Sequence, residues 1–579
     1  MADNKQAAPG GAFLVQDISP AETFTPEDFG DDRLAFKAAA DDFSKREVAP
    51  AAERLELHDH GLLLALLKQA GQLGFLGIDV PEADGGLGLD LVTSALVFEA
   101  TGASGNGSFV VTIGAHTGIG TWPILYFGTD AQRAAYLPGM ASGERVAAYA
   151  LTEPGSGSDA LAAKTTAVLS EDGSHWIVNG SKSFITNAGI ADVFTVFVKI
   201  GGQNACLIVE KGTPGFSVGK EERKLGIKGS STCSLTFEDA RVPAGNLLGQ
   251  VGKGHKIVLN TLNLGRFKLG AAAEGAIKGA IRGTIEYAAG RKQFGVPILD
   301  FDAVRQKVAE MVADAWVGEC MVYRTAGMLA SRLEGVPPGE EAAKAIEEHT
   351  VECSLVKVAL SEMLWESINH GVQIFGGYGY VEEGYAAARA LRDARVNLIF
   401  EGTNEINRML AIDALVKQAM KGKIDIFGAY SSLPEAPPRG ASLRGAVTGA
   451  KRATIHALGA AAMKHMQGLK DEQQLLIALA DALIAVYAAD SAVLRLEKLA
   501  AAGRGTALET DAAAAFIEKA RHLLRASCDA VLCAVHDGAG RSAALAQSRA
   551  LLGDEPICDI VAVRKRIAAA AVAKGGYPF

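Results

Sequence analysis

The pattern of hydrophobic and polar positions divides the chain into stretches of two different periods. From 31 to 145, apolar residues recur at three- and four-residue steps, which indicates amphipathic helices. From 146 to 250, short runs of β-branched and aromatic residues are bounded by Gly, Asn, Asp or Pro, which indicates strands. The helical period returns from 251 to 425. This alternation predicts a helical domain, a β domain and a second helical domain.

The β region and the second helical region each show a regular internal pattern. Candidate strands lie at 147–151, 165–169, 175–179, 193–200, 204–210 and 232–238. In the helical region an apolar stripe begins at Phe301, and similar stripes run through 255–289 and 344–374. Long helices with short connections form antiparallel bundles. We therefore predict a barrel- or sandwich-like middle domain followed by a four-helix bundle.

The two ends of the chain differ from these three domains. Residues 1–30 show no sustained period and are expected to form a frayed leader. Prolines 434, 437 and 438 mark a linker over 426–439. Residues 440–579 are Ala-rich with a helical period, which predicts an additional C-terminal helical domain. The predicted fold class is thus α+β multidomain.

Composition narrows the class of protein. A chain of 579 residues is too long for one core, and 49% hydrophobic with 21% charged residues is typical of a globular protein. The net charge of -9 argues against nucleic acid as the main partner. The seven cysteines form no C-x-x-C pair, which suits a reducing compartment, and no metal site is expected. Without signal or transit character at the N-terminus, we expect a soluble, cytoplasmic protein.

The stretch from Gln373 to Thr403 carries the strongest chemical signal. Gly376, Gly377 and Gly379 lack the Cβ groups that would keep backbone N–H groups away from a phosphate. This glycine cluster therefore predicts a phosphate-binding loop at the end of a helix.

Glu401 is the candidate general base in the same stretch. It follows Leu398, Ile399 and Phe400, so its carboxylate is expected to project from an apolar wall. Desolvation there would raise the pKa of the carboxyl group toward neutral, as a general base requires. The alternative is structural, because Glu-Gly-Thr-Asn can simply start a capped helix.

Three short motifs match known fingerprints but lack the context that those fingerprints need. The segments 155–160 and 538–543 both fit the dinucleotide pattern G-x-G-x-x-A, yet neither lies in a βαβ unit. The segment 215–219 fits G-x-S-x-G, but β structure continues after it. His116, in an apolar helix, is expected to be a satisfied core or interface histidine. None of them predicts a site.

Four strings, taken in their order and spacing, resemble the acyl-CoA dehydrogenase family. The first, 152–159, opens the β domain, and 180–187 follows it. The third, 291–295, lies in the bundle, which 373–403 closes. The resemblance extends over roughly residues 35–420. The C-terminal extension and the string Asn-Leu-Gly-Arg-Phe that ends at Phe267 are most similar to the very-long-chain branch.

The resemblance implies FAD bound between the β domain and the bundle. The implied contacts along the flavin ring and pyrophosphate are Tyr149, Leu151, Thr152, Ser158, Phe184 and Thr186. Phe184 stands where many relatives carry Trp, so stacking is kept but the indole N–H is lost. The adenosine and pyrophosphate end of a neighbouring subunit's FAD is implied at Arg291, Phe294, Gln373, Gly376 and Gly377. Thr403 and Glu405 match a further dinucleotide contact, with Glu405 in place of the commoner Gln or Asp.

The resemblance also implies a reaction. Glu401 would take the α-proton of an acyl-CoA while the β-hydrogen leaves as hydride to flavin N5, yielding trans-2-enoyl-CoA in fatty-acid β-oxidation. Some relatives carry the base immediately before the position of Arg266, where this chain has Gly265. The thioester oxygen would be held by the Glu401 N–H and a ribityl hydroxyl. Implied substrate contacts are Ser158, Asn263, Arg266 and Gly402.

The expected partners follow from the same resemblance. Electrons would pass to an electron-transfer flavoprotein, unless the protein is an acyl-CoA oxidase that uses O₂ or a non-catalytic assembly protein that keeps the fold. Gly114, Ala115 and Gly118 match the tail end of the acyl cavity and favour long chains, although close helix packing explains them equally.

Assembly and membrane contact are expected to depend on the extension. Packed on the bundle, the extension would leave a homodimer rather than the tetramer of short-chain relatives. Residues 436–470 are basic and carry spaced apolar side chains, which predicts an amphipathic segment for peripheral membrane contact.

Overall fold

The computed structural model describes residues 8–434 and 442–579, and it begins with a helical domain. Within this part of the chain, the N-terminal helices are α1 Asp31–Phe43, α2 Ala52–Glu56, α3 His60–Gln72, α4 Leu91–Gly102, α5 Gly107–Gly114, α6 Trp122–Phe127 and α7 Asp130–Ala141. The Asp90 side chain caps α4 by accepting the Thr93 N–H. Every residue of α4 is buried, so this helix forms the centre of the domain.

The middle domain is one β-sheet. Its strands are β1 Ala147–Ala150, β2 Thr166–Leu169, β3 His175–Thr186, β4 Val193–Ile200, β5 Gln203–Glu210, β6 Phe216–Glu221, β7 Thr232–Pro243 and β8 Leu247–Leu248. The order is β6-β7-β3-β2-β4-β5-β8, with β1 parallel to β4. All six predicted strands are present. The predicted strand at 175–179 extends to Thr186 in β3, because register shifts after Val178 and Lys182 carry pairing through a polar stretch that hides the strand period.

The bundle follows the sheet. Its elements are α8 Gly254–Gly290, the hairpin β9 Lys292–Gln293 and β10 Val296–Pro297, α9 Asp302–Leu333, α10 Glu340–Glu348, α11 Thr350–Phe375, α12 Gly377–Tyr380, α13 Ala387–Arg395 and α14 Asn404–Met420. Helices α8, α9, α11 and α14 pack as the predicted four-helix bundle. With 37 residues, α8 is about 55 Å long. It also packs against α4, which contacts α9 as well, so the N-terminal domain docks directly on the bundle.

The C-terminal extension is helical and docks on the bundle. Its helices are α15 Ile426–Ser431, α16 Leu443–His465, α17 Gln473–Ala501, α18 Ala507–Val535, α19 Gly538–Leu552 and α20 Ile560–Lys574. Helices α17, α18 and α20 pack against α9, and α17 also contacts α14. Arg324 and Asp490 form a buried ion pair of 3.0 Å across this interface. The bundle face that α9 presents is therefore covered by the protein's own extension.

The leader is not frayed, which corrects the expectation for residues 1–30. Its first seven residues lie outside the described part of the chain. Ala12, Phe13 and Leu14 are at most 2% exposed, and the ring centroids of Phe13 and Tyr487 are 4.7 Å apart. The hydrophobic pattern does not predict this packing, because three buried residues in one short turn are too few to show a helix or strand period.

The predicted linker over 426–439 is also partly wrong. It begins with the helix α15, in which Asp425 accepts the Gly428 N–H and Ile426 is 2% exposed. The remainder of the predicted linker, from 435 to 441, lies outside the described residues.

The segment 436–470 contradicts the expectation of an exposed amphipathic face. From residue 443 it forms α16, in which Val447, Ile455 and Leu458 are at most 4% exposed, whereas Met463 near its end is 65% exposed. Arg444 and Lys451 pair with the buried Asp490 at 3.1 and 2.9 Å. Most of the apolar face of α16 is therefore buried, and among the described residues of the segment the exposed large apolar side chains are limited to its C-terminal end, at Met463 and Met466.

Helix α17 is long and apolar enough to cross a membrane by length and composition. In its most apolar window, 78% of the residues are buried inside the fold. Helix α17 contacts α9, α14 and α18, an environment typical of a core helix.

Candidate active site

The loop that carries Glu401 joins α13 to α14 and has an unusual backbone. Glu401 has a φ of +59°, and the following Gly402 has a φ of +81°. A left-handed conformation is uncommon for a residue with a side chain, and such strain is concentrated at functional sites. The turn directs the Glu401 side chain into a cavity between the β domain and the bundle.

Three side chains hold the carbonyl groups of this loop. Arg266 Nε donates to the Glu401 carbonyl oxygen at 3.0 Å. Lys357 Nζ and Asn407 Nδ2 donate to the Gly402 carbonyl oxygen at 2.8 and 2.7 Å. Because both carbonyls are held, the two peptide planes that follow Glu401 are fixed, which restrains the backbone of the loop at Glu401.

The carboxylate of Glu401 has the environment expected for a base. Its Oε2 is buried and has no hydrogen-bond partner among the described residues. Burial raises the pKa of Glu401 to about 7, and the charges of Arg266 and Lys357 offset part of that rise. The prediction of a raised pKa is confirmed. An unpartnered buried carboxylate costs folding free energy, which is the signature of a functional group.

Gly265 lies directly against the base. A Cβ built at this position would be 2.8 Å from Glu401 Oε2. The alternative position of the base in the family is therefore next to Glu401 in space, and the absence of a side chain at Gly265 leaves room for the carboxylate.

The structure brings most of the predicted site residues together around this cavity, which has a volume of about 460 Å³. The predicted residues that line it are Tyr149, Leu151, Thr152, Ser158, Phe184, Thr186, Arg266, Glu401 and Gly402. The sheet contributes the first six and the bundle the last three, so the cavity lies where the two domains meet.

Asn263 is not on the cavity wall, which corrects its predicted role as a substrate contact. It is 2% exposed. Its Oδ1 accepts from Arg266 NH1 at 2.9 Å, and its Nδ2 donates to Thr350 Oγ1 at 2.8 Å. Asn263 therefore orients Arg266, which in turn holds the base loop.

The tail-end residues are divided between two roles. Gly114 and Ala115 line the cavity, as predicted. Gly118 lies outside this lining, and a Cβ there would be in ordinary van der Waals contact with the Lys268 side chain at 3.8 Å. Lys268, which lines the same wall, pairs with Asp79 at 3.1 Å.

The remaining cofactor residues form a separate surface site. Arg291, Gly376 and Gly377 line a second pocket of about 480 Å³, where the Arg291 guanidinium lies 5.5 Å from the Tyr378 ring centroid. Nothing within 4 Å would meet a Cβ on either glycine, so their backbone is open to a ligand. Phe294 is 94% exposed beside them. One chain thus presents two sites, as a cofactor shared between subunits requires.

Gln373, Thr403 and Glu405 line neither pocket. The Gln373 carbonyl accepts the Gly376 N–H at 3.2 Å, which closes α11. Thr403 Oγ1 caps α14 by accepting the Ile406 N–H at 3.3 Å. Glu405 is exposed, and hydrogen bonds from its own backbone N–H and from the Thr403 hydroxyl lower its pKa. The capped-helix alternative is therefore correct for Thr403, while Glu401 keeps the environment of a base.

The motifs without context behave as expected. Residues 155–160 form a loop whose last part borders the cavity, 538–543 start α19 after another helix, and Ser217 lies in β6. His116 is fully buried, with Nε2 donating to the Met140 carbonyl at 2.9 Å. Burial lowers the pKa of His116 to about 4, so it stays neutral.

The residues of this cleft fit a flavin. Phe184 is 66% exposed with a φ of +58°, which presents a bare aromatic ring at the edge of the cavity. The buried hydroxyl of Tyr149 has no partner among the described residues and is available to a ligand. An aromatic platform and an unsatisfied donor are what a planar polar ring system needs.

Sequence models of the acyl-CoA dehydrogenase N-terminal, middle and C-terminal domains match residues 30–144, 148–240 and 252–416. A further model described as acyl-CoA dehydrogenase, C-terminal domain, matches 449–549. The domain order and the cleft define a flavoprotein oxidoreductase that acts on a CH–CH bond. The chain belongs to the acyl-CoA dehydrogenase family.

Individual relatives agree with this assignment. A probable acyl-CoA dehydrogenase from Bacillus subtilis is 46% identical over 509 residues, which cover 85% of each chain. The very long-chain specific mitochondrial enzyme of Homo sapiens is 36% identical over 477 residues, covering 75% of this chain and 70% of that one. The solved structure of an acyl-CoA dehydrogenase complexed with FAD from Bacillus anthracis has a TM-score of 0.95 at 42% identity, covering 99% of this chain and 100% of that one. FAD is accordingly the cofactor.

Two residues whose side chains hold the base loop were not predicted from the sequence. Lys357 and Asn407 lie in helical stripes that resemble an ordinary packed core. For Lys357 the available signal was a lysine inside the apolar run that forms α11, and the structure shows that this side chain is fully buried. For Asn407 nothing local distinguished it from a surface amide.

Proposed function

We propose that this protein catalyses α,β-dehydrogenation of acyl-CoA thioesters to trans-2-enoyl-CoA in fatty-acid β-oxidation, with Glu401 as the base. The observation that carries the proposal is the buried carboxylate of Glu401, which has no partner for Oε2 among the described residues and a pKa of about 7. Such a group is ionised often enough at neutral pH to accept a proton and is basic enough to remove one.

The chain's own residues bind, orient and move the proton. The α-proton goes to Glu401 as the β-hydrogen leaves with its electron pair, and the remaining pair closes the C=C bond. FAD, when bound in the cleft, supplies the redox chemistry by accepting that hydride. The Glu401 N–H, oriented by the clamped loop, would donate to the thioester oxygen and so favour loss of the α-proton. Phe184 and Thr186 would hold the face of the cofactor.

A panel of saturated acyl-CoAs tests this function. Mixed with the yellow protein without oxygen, a substrate should bleach the flavin, and product analysis should give the enoyl thioester. Peroxide formed in step with product under air would instead identify the oxidase alternative. A purified protein that carries no flavin, or one bleached by no thioester, would favour the non-catalytic alternative.

The pH dependence of flavin reduction is a further prediction. Glu401 accepts a proton only when ionised, and its pKa is raised to about 7. The rate should therefore be low below the pKa, rise through about pH 7 and reach a plateau above it. Stopped-flow measurements at several pH values check this result. A rate that is constant from about pH 5.5 to about pH 8.5 would contradict the assignment.

We also propose a preference for long acyl chains. An adjoining apolar cavity of about 380 Å³ shares the wall residues Val110, Val111, Ala272 and Asn397 with the first cavity. Together they offer depth beyond Gly114 and Ala115, and each buried methylene contributes about 0.8 kcal/mol.

Val111→Phe should therefore lower kcat/KM for palmitoyl-CoA by about tenfold or more, because the added ring narrows the junction, and leave butyryl-CoA little changed. Val561→Phe, at a position that is 59% exposed on α20, is the matched control. Equal kcat/KM for palmitoyl and butyryl thioesters in the unmodified protein would contradict the preference.

The same proposal extends to partners and assembly. We infer an electron-transfer flavoprotein as electron acceptor and a homodimer that shares FAD across its interface. The separate, exposed site at Arg291 and Phe294 supports the shared cofactor, and the coverage of α9 by the extension supports a dimer. Light scattering should give twice the chain mass, whereas a tetramer would contradict the dimer.

Location is a separate part of the proposal. The seven cysteines are all unpaired, which favours a reducing compartment such as the cytoplasm. Cell fractionation tests this placement.

A further inference from the structure

A continuous hydrogen-bonded chain leads from the base loop to the C-terminal extension. Its members, which we call the relay, are Lys357, Asn404, Glu362, Arg408 and Asp481. They come from α11, α14 and α17, so the relay crosses the interface between the bundle and the extension.

Lys357 begins the relay, and its position is unusual. Its side chain is fully buried, and Nζ donates to the Gly402 carbonyl oxygen at 2.8 Å and to Asn404 Oδ1 at 2.7 Å. Both acceptors are neutral, so the ammonium has no direct ion pair among the described residues. Burying a cation without a paired anion is costly. Such a lysine is expected where its charge or its donors serve the site.

The relay continues through charged groups. Asn404 Nδ2 donates to Glu362 Oε1 at 3.0 Å. The two terminal nitrogens of Arg408 donate to the two Glu362 oxygens at 2.7 and 2.9 Å. Arg408 Nε donates to Asp481 Oδ1 at 2.7 Å. The bidentate pair and the third bond use the planar guanidinium in a fixed orientation, so Asp481 restrains where Glu362 and Asn404 can lie.

Another ion pair across the same interface provides a contrast. Lys519 of α18 donates to Asp314 and Glu366 of the bundle at 3.0 and 2.8 Å. No further bond from this group leads toward Glu401 among the described residues. The extension is therefore attached at several places, but through Asp481 it reaches the base loop.

We propose that Lys357 is the positioning residue of the base loop, and that Asp481 of the extension keeps it in place through the relay. The inference rests on the proposed role of Glu401 as the base. An extension that is distant from the chemistry would thereby contribute to the geometry of proton removal.

The charges around Glu401 give the proposal a pH signature. Arg266 of α8 and Lys357 of α11 act on the Glu401 carboxyl, and both cations lower its pKa, while burial and the Glu401 charge raise the pKa of Tyr149 of β1. Burial lowers the pKa of Lys357 to about 7, and the negative charges of Glu362 and Glu405 offset part of that decrease. Replacing Lys357 with a neutral side chain removes this cation wherever the lysine is still protonated, which raises the pKa of Glu401. The rising limb of the pH profile then moves to higher pH.

The test uses Lys357→Met, Asp481→Asn, both together, and Lys519→Met as the matched control that breaks an interface ion pair outside the relay. In Lys357→Met the rising limb of the pH profile should lie at higher pH by about one unit. Flavin reduction at the plateau should be slower by about tenfold. Asp481→Asn should slow it by about threefold. If the relay is one unit, the double variant is no slower than Lys357→Met alone.

Hydrogen exchange of the backbone gives a readout that needs no substrate. Peptides that span 396–407 should exchange faster in Asp481→Asn and at the parental rate in Lys519→Met. This comparison does not require that Lys357→Met folds. An unmoved pH limb in Lys357→Met, effects that multiply in the double variant, or equal exchange in Asp481→Asn and Lys519→Met would each overturn the proposal. An unmodified protein that reacts with no thioester would refute the proposed function instead, and the exchange result would still decide whether the relay orders the loop.

Discussion

Glu401→Gln should abolish turnover while leaving FAD and thioester binding intact. The amide has the shape of the carboxylate but cannot accept the α-proton, and Oε2 has no partner among the described residues whose loss would disturb the fold. Loss of a general base typically slows a reaction by ~10²–10⁴-fold. The measurement is flavin bleaching by an acyl-CoA in stopped flow, with the absorbance spectrum reporting cofactor and ligand binding.

Asp413→Asn is a suitable control for Glu401→Gln. This carboxylate lies on the surface of α14 and pairs with Lys417 at 2.7 Å, away from the cavity. The control should bleach at the parental rate. If Glu401→Gln itself retains more than about a tenth of that rate, a second base exists and the assignment is wrong.

Gly265→Ala should produce the second largest loss. The new Cβ would lie 2.8 Å from Glu401 Oε2 and 3.0 Å from both the carboxyl carbon and Ile119 Cγ2. The carboxylate would have to shift, and a misplacement of about 1 Å can cost about 10²-fold in rate. We expect flavin reduction to slow by roughly ten- to a hundredfold while FAD remains bound.

Gly540→Ala separates this effect from helix propensity. Gly540 is a helical glycine of α19 with nothing within 4 Å of a built Cβ, so alanine there should stabilise slightly and leave the rate unchanged. A Gly265→Ala protein with the parental rate would show that the carboxylate tolerates displacement, and the packing argument would then fail.

The domain order could be read from the residues because it depends on local information, whereas the choice of Glu401 as base needed the family resemblance. A change of hydrophobic period marks where a helix-forming stretch becomes strand-forming, and the six predicted strands are all present. Burial does raise the pKa of Glu401, as predicted, but of the three apolar residues before it only Phe400 lines the cavity, and Ile399 is 50% exposed. Specific strings then identified residues from both domains that line the cavity, among them Tyr149, Phe184 and Glu401.

The errors have a common origin in contacts between distant segments. The leader has no period of its own, yet Phe13 packs on Tyr487, more than four hundred residues away. The segment 436–470 has the composition of a surface helix, but from residue 443 the extension buries most of its apolar positions, such as Val447, Ile455 and Leu458. The resemblance implied a substrate contact at Asn263, but in the structure its side chain accepts a hydrogen bond from Arg266.

The sequence by itself determined which domains form and in what order, because helix and strand periods act over a few residues, and the family resemblance made Glu401 the candidate base. Only the tertiary structure decided what surrounds that base: the clamp by Lys357, the space left at Gly265 and the connection to Asp481. These contacts join residues from several helices, and neither hydrophobic period nor local spacing encodes which polar groups meet when those helices pack.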